Sequence, residues 1–333
     1  KAYIEDLRSL NGTIVNGIIN LPAVFIVVLL SFVLMKGTKG SALVNAVIVS
    51  LKVTVVIVFI IVGWSYINPE NHVPYIPENT GKFGEFGWSG ILRAAGIVFF
   101  AFIGFDAVST AAQEAKNPQR DMPIGIIGSL VVCTILYVLF SHVMTGLANY
   151  TEFKGSAAPV AVAISKTPYD WLNMAIIIAI LAGYSSVMLV MLLGQTRVFY
   201  TMSKDGLLPK VFSDVHPKYK TPYKSNMLFA VFVGIFAAFV PVSVVGEMVS
   251  IGTLLAFVLV CAGIIVMRKT MPEAPRAFKT PLVPLVPILG ILICFGIMLS
   301  LPADTWIRLV VWLVIGLVIY FGYSKKHSKI RQK

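Results

Sequence analysis

The chain has 333 residues, 57% hydrophobic and only 13% charged, and it carries a formal net charge of +12. Soluble domains carry about 25% charged residues, so a water-facing fold is excluded by the shortage of polar surface. The basic excess leaves nucleic acid to be considered, and the placement of the charges decides against it below.

Crossing a hydrocarbon core about 30 Å thick takes roughly 20 apolar residues in helical form. Nine runs of that order follow one another, at about 13–35, 42–67, 91–112, 124–148, 171–200, 226–243, 247–267, 283–301 and 305–323. A soluble helical core can supply one such run but not nine in series. The sequence therefore predicts an all-α polytopic membrane protein.

Taken in order, the second run holds an ionisable residue, Lys52, about ten residues in. A rise of 1.5 Å per residue puts it about 15 Å from the inner end. Its stem can snorkel to the interface. Alternatively, a lysine held away from water can load and release a proton. The third run reads Phe99-Phe100-Ala101-Phe102-Ile103-Gly104-Phe105-Asp106 at its centre. Gly weakens a helix by about 1 kcal/mol relative to Ala, so Gly104 among bulky rings is a place where the helix can open. The other reading is close helix packing with the rings toward lipid. Asp106 lies too deep to be ignored, since a carboxylate there needs a partner or a proton.

The fourth run contains His142, read as a packing histidine, and the fifth contains Ser185 and Ser186, read as bonding back to their own helix carbonyls. Cys133, Cys261 and Cys294 sit inside apolar runs as small packing residues, with no metal-ligand spacing. No cofactor and no metal is expected. An enzyme would need acids, bases or metal ligands converging at one depth, and none converge.

If the first run crosses from outside to inside, the inner segments and helix ends hold 19 of the 27 Lys and Arg. Lys1, Arg8, Lys82, Arg93, Lys154, Lys166 and Arg308 fall outside. This is the positive-inside bias. It places 201–225 and the C-terminus in the cytoplasm, and it makes the basic loops topology signals that touch anionic lipid, not nucleic acid. Nine crossings put the termini on opposite sides, and residues 1–8 read as a loop entered midway.

Several stretches together resemble one family. They are Ser41-Ala42-Leu43-Val44-Asn45 with Leu51-Lys52, the Phe100–Asp106 segment, and Glu114-Ala115-Lys116-Asn117-Pro118-Gln119-Arg120-Asp121. Further on come Gly194-Gln195-Thr196-Arg197, Ser203-Lys204-Asp205-Gly206-Leu207-Leu208-Pro209 and Ile251-Gly252-Thr253-Leu254-Leu255-Ala256. Their order and spacing resemble the amino acid–polyamine–organocation transporters, and within them bacterial relatives of the cationic amino acid transporters.

The resemblance implies the leucine-transporter fold, two inverted five-helix repeats followed by two extra helices. Laid on it, the nine runs look like family helices four to twelve, with the first three absent from this chain. Residues 13–67 would then end the first repeat, 91–267 would form the second, and 283–323 the two additional helices. By the same resemblance, Phe100, Ala101, Phe102, Ile103, Gly104 and Phe105 look like the broken helix of a substrate site. Lys52 looks like the lysine that replaces sodium in proton-coupled members. Ser185 and Ser186 look like the hydroxyls beside that lysine, and Asp106 like an acidic position beyond the break.

The expected function is proton-coupled amino acid symport by alternating access in the cell membrane. An exchanger without net proton flux and a non-transporting amino acid receptor are the alternatives. Expected partners are the amino acid, protons and the bilayer, with a small membrane subunit left open.

Overall fold

The computed structural model describes residues 19–36, 41–105, 117–154, 156, 158–219, 221–276 and 278–329. Among them no strand forms, and every one of the nine apolar runs contains a helix. In chain order the helices are α1 (Leu21–Lys36), α2 (Ser41–Trp64), α3 (Gly87–Val98), α4 (Pro118–Leu147), the short α5 (Pro159–Ile164) and α6 (Asp170–Lys204). They continue with α7 (Tyr223–Phe239), α8 (Val242–Thr270), α9 (Leu285–Leu299) and α10 (Ala303–Ile319). Pro222, Pro241, Pro284 and Pro302 stand immediately before α7, α8, α9 and α10. There a missing N–H and a fixed φ suit the start of a helix.

Five segments are long and apolar enough to cross a membrane: Ala46–Trp64, Pro118–Leu147, Trp171–Lys204, Val244–Thr270 and Ala303–His327. The last runs through a π-turn at Tyr320–Ser324. Leu21–Lys36, Gly87–Phe102, Tyr223–Phe239 and Leu285–Leu299 are apolar but shorter, at 10–17 residues. The outward faces carry large apolar side chains such as Phe25, Ile124, Val138 and Val318, all more than 60% exposed. In water so large an apolar surface would associate; in lipid it is the solvated face. The chain is an all-α polytopic membrane protein.

The chain divides into two compact units. The first draws on residues up to 75, on 132–240 and on those from 327 onward. Its core joins Phe59 and Ile60 of α2, Val143 and Leu147 of α4, Ala163 and Ile164 of α5, and Leu172 and Ile176 of α6. Gly63 permits this approach, because a Cβ there would lie 2.5 Å from Val143 Cγ1. The segment after α2 is fastened to the end of α4. Asn68 N–H donates to Gly146 O at 3.0 Å, and Asn71 Nδ2 donates to the same oxygen at 2.8 Å. His72 Nε2 meets Thr145 Oγ1 at 3.1 Å, and its ring stacks on His142 at 4.6 Å and 20°. His142 does pack, as its apolar setting predicts, but against a second histidine 70 positions away.

In the loop after α4, Lys166 and the Asn149 N–H hold the Glu152 carboxyl below its usual range. That pairing is present at neutral pH and is lost as the pH falls through the depressed value.

The second unit draws on residues 76–131 and 241–326. Ile251 and Leu254 of α8 pack with Met298 and Leu301 at the end of α9. Gly96 brings α3 onto this core, since a Cβ there would lie 2.9 Å from Leu301 Cδ2, and Ser300 Oγ donates to Leu92 O at 3.1 Å. Near the start of α10, fully buried Thr305 donates to Glu247 Oε2 at 2.8 Å, and Arg308 Nη1 lies 3.5 Å from that oxygen. A Thr305→Val substitution keeps the shape and removes the donor. It is expected to cost about 1–3 kcal/mol, read as a lower melting temperature in detergent; an unchanged melt would show that Arg308 alone satisfies Glu247.

Candidate functional site

The third apolar run does not form one helix. α3 stops at Val98, and Phe99–Phe102 tightens into a 3-10 turn. Phe99 N–H still closes on Ala95 O, but Ile103 N–H donates to Phe100 O at 3.2 Å, and Ile103 itself is extended at φ −64°, ψ 133°. Gly104 follows at φ +128°, a conformation that side chains other than glycine rarely adopt. The lapse in regular bonding thus falls where Gly104 among phenylalanines predicts it.

The break is held by rings. Phe99 meets Phe257 of α8 edge-on at 6.0 Å, and Phe105 meets the same ring at 5.5 Å. Phe99 also packs on the core around Ile251 and Leu254, while Phe100 remains 46% exposed. A break fixed in this way presents a short stretch of non-helical backbone beside aromatic faces. Such backbone at membrane depth is tolerated where it lines a cavity or a site, not where it meets lipid. Residues 106–116, and Asp106 with them, lie outside the described residues.

In the first unit, Lys52 of α2 is half-buried and turns its stem inward onto α6. A Cβ on Gly183 would lie 2.7 Å from Lys52 Cδ, so a side chain there would push the lysine stem aside. Beside the lysine is a cavity of about 360 Å³, walled by Val55, Phe59, Phe140, Ile176, Ile180 and Gly183 among others. Ser186, three residues beyond Gly183 on the same face of α6, is buried and donates to Gly183 O at 2.9 Å. Ser185, two residues beyond and so turned to the opposite face, donates to Leu181 O at 3.0 Å. Both hydroxyls thus bond back to their own helix. No hydrogen bond joins Lys52 to either serine, and of the two only Ser186 shares the helix face against which the lysine lies.

Two features were not legible beforehand. Phe257, which anchors the break from both sides, lies in an apolar run with nothing to distinguish it from its neighbours. The cavity beside Lys52 depends on four separate helices, and a period within one run says nothing about it.

Comparison with known proteins shows the family. The profile of the amino acid permease family matches residues 7–321. A branched-chain amino acid permease of Bacillus subtilis is 48% identical over 94% of this chain and 66% of its own length. A methylthioribose transporter of the same organism is 40% identical over 96% of this chain and 68% of its own. A branched-chain amino acid permease of Lactococcus lactis is 34% identical, again over 94% and 68%. The chain thus spans about two thirds of the length of these relatives. It belongs to the amino acid permeases of the amino acid–polyamine–organocation superfamily.

Proposed function

We propose that the protein takes part in proton-coupled uptake of amino acids with apolar, branched side chains, by alternating access across the cell membrane. The observation that carries this reading is the break at 99–105, with its extended Ile103 and left-handed Gly104 held against Phe257. Interrupted helices offer backbone N–H and C=O groups to a substrate at the bilayer midplane. The walls nearest this one are Phe99, Phe100, Phe102, Ile103, Phe105 and Phe257, which suit an aliphatic side chain. The names of the Bacillus and Lactococcus relatives point the same way.

In this reading 13–67, the last two helices of the first repeat, 91–267, the second repeat, and the added helices 283–323 follow the leucine-transporter plan. Phe100, Ala101, Phe102, Ile103, Gly104 and Phe105 form one wall of the substrate site. Lys52 is the proton carrier, with Ser186 rather than Ser185 as its neighbour and Asp106 as an acidic group beyond the break. The 201–225 loop and the C-terminus are cytoplasmic. Substrate and proton together stabilise the inward-releasing state more than either alone, which is the differential affinity that a coupled shift requires.

The test is uptake in cells lacking their own branched-chain carriers. Radiolabelled leucine, isoleucine and valine should accumulate in a manner abolished by a protonophore, whereas lysine should not. Accumulation of methylthioribose in place of the branched-chain amino acids would replace the substrate assignment. Leucine uptake that ignores the protonophore would replace symport by exchange.

A further inference from the structure

The stretch Ser203-Lys204-Asp205-Gly206-Leu207-Leu208-Pro209 has no part in the transport reading above. In the structure it ends α6. Gly206 stands in the left-handed region at φ +81°, its N–H donates to Ser203 O at 3.1 Å, and Leu207 N–H donates to Met202 O at 2.8 Å. This is the glycine-based stop that satisfies the last carbonyls of a helix. Buried Ser203 closes the turn by donating its hydroxyl to Pro209 O at 2.8 Å. Asp205 O is met from elsewhere in the chain: the backbone N–H of Lys329 donates to it at 3.0 Å. The carbonyl of His327 lies against Gly206, in the space that a Cβ at 206 would occupy. Residues 203–209 and 327–329 belong to the same unit. Main-chain atoms of the tail make both contacts, and the Lys329 side chain stays exposed. A helix C-terminus carries partial negative charge, and the tail that meets it carries Lys325, Lys326, Lys329, Arg331 and Lys333.

We propose that residues 327–329 are a releasable strap on the end of α6, and that its opening limits the rate of the transport cycle. The clasp is small. One net hydrogen bond is worth roughly 2- to 12-fold in an equilibrium, enough to bias the tail toward the docked position and too little to hold it there permanently. Terminal segments are where openings of that size occur. Gly206 serves two ends. The helix stop needs a left-handed residue, which asparagine also supplies. The strap needs the absence of a Cβ, which glycine alone supplies. On the tail side the need is an N–H at 329, which any residue but proline provides. α6 runs from Asp170 to Lys204 and carries Gly183, against which the Lys52 stem lies, so the strap closes on the end of that same helix. A contact made in one conformation stabilises it against departure. A strap that must open therefore slows the cycle, and removing it speeds the cycle. Docking of the tail stands without the transport reading, and the effect on rate rests on it.

Two variants separate the strap from the helix stop. Gly206→Asn keeps the left-handed stop and fills the space of the His327 carbonyl, whereas Lys329→Pro removes the donor and leaves α6 unchanged. In lipid nanodiscs the Lys329 amide should exchange its hydrogen roughly 2- to 12-fold faster in Gly206→Asn than in the wild type. In counterflow each variant should raise the initial rate by a similar factor at unchanged half-saturation. The double variant should do no more than either alone, because both open one contact. Counterflow is run with whichever of leucine and methylthioribose the protein accumulates, so a wrong leucine assignment leaves the test intact. If neither is carried, the transport reading and the rate effect fall together, while amide exchange still decides the docking. Should Gly206→Asn fail to fold, Lys329→Pro carries the rate measurement by itself. The proposal is overturned if the Lys329 amide exchanges equally fast in the wild type and Gly206→Asn, if a normally melting Lys329→Pro leaves the counterflow rate unchanged or lowers it, or if the two effects multiply.

Discussion

Replacing Lys52 by alanine is expected to collapse proton-driven accumulation, bringing the ratio of internal to external leucine to about one. The reasoning starts from position. Lys52 lies within Ala46–Trp64, a segment long and apolar enough to span the bilayer, and its stem turns onto Gly183 of α6. A charged group at that depth costs several kcal/mol unless something compensates it. The cost is tolerable if the proton that makes the charge is taken up and released during the cycle. Removing the amine removes the proton and changes no residue of the 99–105 wall. Leucine binding and leucine–leucine exchange should therefore survive. Lys52→Met retains most of the stem that packs on Gly183, so it should lose accumulation as completely as Lys52→Ala does. If Lys52→Met accumulates leucine normally with an unchanged pH profile, the lysine serves packing alone. Parallel measurements of accumulation, counterflow and binding on the same vesicles separate the two roles.

What could be read beforehand follows from what the bilayer demands. Apolar runs of about 20 residues are a direct requirement of hydrocarbon thickness, so each of the nine runs marked a helix, while the short α5 between two runs was not visible. Their ends were less so. α6 extends to Lys204 and α8 begins at Val242, because helical backbone continues past the apolar window into the interface. The break was legible because glycine among large rings is a local signal, and Gly104 does adopt a conformation closed to other residues. The faces of the helices were not legible. Core-facing Phe59 and lipid-facing Ile61 are both apolar, so periodicity carries little information about which side is buried. Pairings across long separations were hidden for a different reason. His72 with His142, Phe105 with Phe257, and Thr305 with Glu247 are set by tertiary packing, and no pattern within either partner's own segment announces them.

Gly104→Val is expected to be the most damaging single change at the break. At φ +128° a β-branched residue clashes with its own backbone. Holding such a conformation costs about 1–3 kcal/mol, which corresponds to roughly 5- to 150-fold in an equilibrium. The chain can avoid the cost only by changing φ, and the simplest change continues α3 as a helix through 104. That would redirect the Ile103 carbonyl and swing Phe105 off Phe257, removing the non-helical backbone that the substrate is proposed to meet. If the chain takes that route, substrate affinity should fall by up to about the same factor, because binding must first restore the broken form. Gly104→Ala should show the same sign with a smaller loss. Gly96→Ala supplies the contrast. Gly96 is helical, and its added Cβ would meet Leu301 and Ser300, so it tests packing on the same helix without touching the break. It should lower the melting temperature and leave leucine affinity per folded molecule near that of the wild type. If instead Gly104→Val lowers only the melting temperature, with affinity per folded molecule retained, the break is a packing feature and the substrate wall lies elsewhere.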